Sequence, residues 1–159
     1  MTRQDAAERI PGDAQVVLNK VLAQSGDLVA PDFALGAVRV KPGVPYLITG
    51  AVPVIYWRKD PNSNKAAIFT IHVSISVNGK ESGTGVVTSY YFTSTSVAHH
   101  VLPPQQQEVL VGLRVKVNRL SDGSGLRDEY DLGDTTPAGG GPMFTYQKQS
   151  YPWLFVQSL

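Results

Sequence analysis

The chain of 159 residues contains no cysteine. That excludes a disulfide framework, a thiolate zinc site and a cysteine nucleophile, and leaves the redox compartment open. It also lacks a charge imbalance: 14 Lys and Arg stand against 13 Asp and Glu, a formal net charge of +1. Without an excess of positive charge there is no electrostatic footprint for nucleic acid or anionic lipid, and near-neutrality puts little repulsion in the way of self-association. No window approaches the roughly 18 apolar residues of a membrane span, and the polar start, Met1-Thr-Arg-Gln-Asp-Ala-Ala-Glu-Arg, has no apolar core of a secretory signal. Synthesis in the cytoplasm is therefore expected, with no standard secretory route. A convincing amphipathic helix is absent too.

What is present is strand patterning. Ile68 to Val77 alternates strictly, with Phe69, Ile71, Val73, Ile75 and Val77 on one face and Thr70, His72, Ser74 and Ser76 on the other. Asn78-Gly79 follows, a favoured pair for a two-residue hairpin because both residues tolerate positive φ. Val109 to Val117 alternates in the same way, and weaker strands are expected at Phe33 to Val40, Val86-Val87, Tyr90 to Phe92 and Val97 to Leu102, while Val16 to Leu22 reads as a strand or a short helix, with the turn clusters after it favouring strand. Tyr46 to Trp57 is rich in β-branched and aromatic residues, and Pro53 within it points to a bulge or an edge. Ser121 to Pro142 reads as one long loop, with Gly139-Gly140-Gly141 as a hinge, before a last strand over Tyr151 to Leu159. Ser25-Gly26-Asp27 and Ala30-Pro31-Asp32 read as turns.

These signals predict an all-β antiparallel sandwich of jelly-roll topology. Residues 1–14 are expected to form a leader or docking arm and 15–159 a single domain, with a core including Leu47, Phe69, Ile71, Val73, Ile75, Val111, Leu113, Val115 and Val156.

Candidate chemistry is sparse. His99 and His100 are neighbours on a strand and must face opposite ways, which prevents them from sharing a metal. The acidic loop residues Asp122, Asp128, Glu129, Asp131 and Asp134 do not match an EF-hand; a solvated loop is expected, and calcium shared between protomers is the alternative. No nucleophile, base and orienting group assemble from the sequence, so no catalytic residue, cofactor or metal is assigned and an enzyme is not expected. The aromatics Tyr56, Trp57, Tyr90, Tyr91, Tyr151 and Trp153 are the candidate interface or binding residues.

In order, Val17-Leu18-Asn19-Lys20-Val21-Leu22, then Pro42-Gly43-Val44-Pro45-Tyr46-Leu47-Ile48-Thr49-Gly50, then Ser76-Val77-Asn78-Gly79-Lys80, and last Leu154-Phe155-Val156-Gln157-Ser158-Leu159 resemble the tumour necrosis factor family of jelly rolls, in particular its branch of complement-type globular heads. The resemblance runs over about residues 16–159 and departs from the pattern at Pro45 and in the glycine-rich loop before the last strand. It implies a homotrimer that binds partners through exposed loops or grooves without catalysis. Joined to the short leader and the missing signal and cysteines, it leads to the expectation of a virion structural protein, a phage minor tail component. Such a protein would contact other virion proteins through the leader and a host-surface glycan or protein through its loops, with no nucleic acid and no membrane span. A carbohydrate-binding module and a capsid decoration protein are the alternatives.

Overall fold

A computed structural model describes residue 1 and residues 13–57, 68–89, 93–120, 141–144 and 152–159; for 14, 54–57, 68–69, 86–89, 93–94, 117–120 and 141–144 it describes the backbone only. Among these residues there is no helix, and the strands form two antiparallel sheets. The strands are β1 (Asp13–Val16), β2 (Val29–Asp32), β3 (Ala37–Val40), β4 (Tyr46–Trp57), β5 (Ile68–Val77), β6 (Lys80–Ser89), β7 (Thr93–Leu102), β8 (Val109–Leu120), β9 (Gly141–Phe144) and β10 (Trp153–Ser158). The larger sheet runs β2-β3-β8-β5-β6, with β1 also on β8; the smaller runs β10-β4-β7, with β9 also on β4.

The pairings nest. β5 pairs with its successor β6, β4 pairs with β7 around that hairpin, and β3 pairs with β8 around both. The innermost turn is Asn78-Gly79, with φ of 49° and 79°, the left-handed values that a tight primed turn requires.

The core lies between the sheets. Ile71, Val73 and Ile75 of β5 and Val111, Leu113 and Val115 of β8 are buried, as their alternation requires, against Tyr46, Ile48 and Val52 of β4 and Leu154 of β10. Val156 is half-buried against this cluster, whereas the expected core side chain of Phe69 lies outside the described residues. Leu47 is a correction. Alternation along β4 turns its neighbours Tyr46 and Ile48 inward, so Leu47 belongs to the outer face and is only partly covered. Ser74 and Ser76, on the opposite face of β5, are also buried.

Four strand expectations also need revision. The Val16 to Leu22 stretch is not a strand along its length: the strand is Asp13–Val16, paired with Lys116–Leu113 of β8. Phe33 to Val40 is half turn, because Asp32 Oδ1 accepts the Leu35 N–H at 3.1 Å and reverses the chain. Ala30-Pro31-Asp32 is not a turn but part of β2, an edge strand, where proline withdraws no ladder bond on the open side. Gly141 and Pro142 belong to β9, opposite Trp57 and Tyr56, rather than to a loop.

Pro53 sits in the central strand of its sheet, in unbroken register with β7 opposite Thr95. It is tolerated because β10 ends its pairing at Ala51 and β9 begins at Val54. Leu159 N–H bonds the Pro45 carbonyl, and by the two-residue period the odd positions of β4 turn their backbone groups to that same edge. The missing N–H of Pro53 therefore points between the two partners, where no ladder bond is lost among the described residues.

Candidate functional site

The outer faces of the two sheets differ in chemistry. The larger sheet carries paired charges on its outer side: Arg114 meets Asp13 at 3.0 Å, and Arg39 meets Asp32 at 2.7 Å and Glu108 at 3.3 Å. The Leu35 N–H, and after it the Arg39 guanidinium, hold the Asp32 carboxyl below its ordinary range; Asp13 holds Arg114 above the usual value. Exposed pairs of this kind contribute little to stability, and the surface reads as solvated.

The smaller sheet presents the opposite. Register places its outward residues in three rows: Trp153, Ala51 and Val97; Phe155, Thr49 and His99; Gln157, Leu47 and Val101. Pro53 and Thr95 extend the face towards β9. Among these described positions there is no Asp, Glu, Lys or Arg. The large apolar members are open: Val101 is 58% exposed, Phe155 51%, Val97 39% and Trp153 38%. Ala51, between Trp153 and Val97, is covered. Within the middle row Thr49 Oγ1 lies 3.1 Å from His99 Nδ1.

Exposed apolar side chains are ordinary when scattered, whereas a charge-free group of them spanning three strands is the kind of surface that partners cover in other proteins. The local reason is that Tyr46-Leu47-Ile48 and Trp153-Leu154-Phe155-Val156 are apolar at every position instead of at every second one. One set fills the core and leaves the other set outside.

Of the candidate aromatics, Trp153 lies on this face. Tyr56 and Trp57 are in β4 beyond Pro53, with their side chains outside the described residues, as are Tyr90, Tyr91 and Tyr151 altogether. The acidic loop Asp122 to Asp134 is also outside them. His99 and His100 stand opposite Thr49 and Ile48 and so on opposite sides of β7. Leu47, Val97, Val101 and Phe155 were not singled out as binding residues by sequence reasoning. The signal available was the uninterrupted apolar runs, together with Val97-x-His99-x-Val101, in which no charge interrupts the outward positions.

No protein-family model matches the chain, and comparison with curated proteins finds no match.

Proposed function

We propose that the chain is a non-enzymatic structural protein that assembles as a homotrimer through the outer face of β10, β4 and β7. The observation that carries this reading is the charge-free apolar face formed by Val97, Val101, Trp153 and Phe155. Neighbouring copies that cover such a surface remove apolar area from water, which stabilises the assembly by roughly 25 cal/mol per Å² buried. The charged outer face of the larger sheet then remains towards solvent or other partners.

The finer topology we propose is a jelly roll. Nesting of β5–β6 inside β4–β7 inside β3–β8 supports it, because a long ribbon folded on itself and rolled gives that order. The setting, a virion with a phage minor tail as its place, rests on the absence of cysteine and the resemblance described above. In that setting the leader contacts other virion proteins and the module contributes to assembly and host attachment.

Sedimentation velocity and light scattering at micromolar concentration test the oligomer. The expected mass is three times 17.2 kDa, and Val101→Glu should shift it to the monomer by placing three like charges in the interface. A wild-type monomer overturns the reading. Mass spectrometry of purified particles tests the setting, and absence from every particle fraction removes it.

One observation favours a second reading. Trp153 and Phe155 lie two residues apart on one exposed face, and their ring faces offer an aromatic platform on which a sugar ring can stack. Titration with oligosaccharides, followed by Trp fluorescence, separates it from self-association: saturable quenching by a monomer supports the carbohydrate-binding module.

A further inference from the structure

The sandwich is closed on one side and open on the other. At the closed side β6 crosses β7 so tightly that a Cβ on Gly85 would stand 1.6 Å from the Val97 carbonyl oxygen, and one on Gly83 2.2 Å from that of His99. At the other side a cleft of about 840 Å³ runs along β10, touching every residue from Trp153 to Ser158. Leu22, Leu28 and Val29 of the 21–29 segment and Val38 of β3 line it opposite Leu154 and Val156. Of its lining side chains only Asp27 carries charge, and Lys41 Nζ holds that carboxylate at 2.6 Å. The Met1 ammonium also lines the cleft and donates to the Leu154 carbonyl at 2.7 Å, so among the described residues each charge there already has a partner.

Backbone register adds a directional feature. Leu154 and Met1 exchange both hydrogen bonds, Leu154 N–H to Met1 O at 2.8 Å and the Met1 ammonium to Leu154 O at 2.7 Å. A two-way exchange between the same two residues defines an antiparallel pair. It also shows that Leu154 turns its backbone groups away from β4. By the period of two, Val156 and Ser158 do the same, while Trp153, Phe155 and Gln157 bond towards β4. The donors and acceptors of Val156 and Ser158 therefore face the cleft. Among the described residues none pairs with them across that edge.

We propose that this cleft binds an extended, uncharged segment of a partner protein, with apolar residues at alternate positions, which adds to β10 as an antiparallel strand. Its backbone pairs with Val156 and Ser158, in the strand position that Met1 occupies opposite Leu154. Its cleft-facing side chains pack on Leu22, Leu28 and Val29. An exposed edge with an apolar groove beside it is the arrangement that strand addition uses, main-chain bonds supplying affinity and alternate side chains specificity. A lipid chain would fill the volume but leave the edge groups without partners, which favours the peptide. Binding here needs no trimer, since the whole cleft is built within one protomer.

The test uses the full chain and a capped, fluorescein-labelled peptide, Thr-Val-Thr-Val-Thr-Val, followed by anisotropy and by amide hydrogen exchange. Saturable binding is expected, with exchange at Val156 and Ser158 slowed about tenfold or more, as for amides brought into a ladder. The same peptide N-methylated at its valines should bind at least about tenfold more weakly, because its pairing donors are gone. Leu22→Asp, at a position 67% exposed in the free chain, should weaken binding comparably while circular dichroism stays unchanged. Three outcomes overturn the inference: no binding at millimolar peptide, binding indifferent to N-methylation, or dodecanoate binding in the cleft while the peptide does not.

Discussion

Asn78 and Leu110 hold each other by two hydrogen bonds of 2.8 Å, Asn78 N–H to the Leu110 carbonyl and Leu110 N–H to Asn78 Oδ1. The side chain thus continues the β5–β8 ladder, which ends at Val77 and Val111, past the last strand residue. Asn78 also carries the positive φ of the hairpin. Asn78→Ala removes the Leu110 partner and strains the turn. An expected loss of about 1–3 kcal/mol in urea unfolding checks it, and a change under half a kilocalorie would remove the tie from the account.

Gly85→Ala should be among the most damaging single substitutions in the chain. The added Cβ meets backbone, the Val97 carbonyl, which a rotamer change cannot clear. A loss of at least about 3 kcal/mol, or failure to fold, is expected. Gly112→Ala is the control: its Cβ would find Ala37 at 3.6 Å, ordinary contact, and its melting temperature should stay close to that of the wild type.

Inside the core, two substitutions should differ in size. Ile71 is 3% exposed, so Ile71→Ala should cost about 2–5 kcal/mol through lost burial and a residual cavity. Ser96 is buried, and its Oγ finds no partner among the described residues. Ser96→Ala therefore removes an unsatisfied hydroxyl and should leave stability unchanged or slightly raised. Equal losses at the two positions would refute the placement of β7 against the core.

Tyr46 is fully buried, with its hydroxyl donating to the Lys41 carbonyl at 3.0 Å and lying 3.3 Å from that of Leu28. Burial raises its pKa above the ordinary tyrosine value. The folded state then holds the phenol proton more tightly than the unfolded chain, so this contribution to stability is fully present below about pH 10 and is lost as pH rises through the folded pKa. Tyr46→Phe should cost about 1 kcal/mol at pH 7 through the lost hydrogen bond and should lessen the decline in urea midpoint between pH 9 and 11. An identical alkaline decline in both proteins would assign it to other groups.

Local chemistry made part of this molecule legible in the sequence. The all-β class, the faces of β5 and β8, and the Asn78-Gly79 turn were readable because period-two alternation and positive φ are properties of neighbouring residues. Other features depend on which strands meet. β9 was invisible because Gly141-Pro142 has no strand propensity of its own and is drawn into the sheet by β4. Pro53 reads as an edge residue until β10 and β9 are seen to leave a gap at its nitrogen. The exposed apolar face was half legible: the runs Tyr46-Leu47-Ile48 and Trp153-Leu154-Phe155-Val156 announce apolar residues on both sides of a strand, but not which side the core claims. Only the tertiary pairing decides that. By turning Tyr46, Ile48 and Leu154 inward, it leaves Leu47, Trp153 and Phe155 beside Val97 and Val101, residues about 50 positions or more apart in three segments that no local pattern connects.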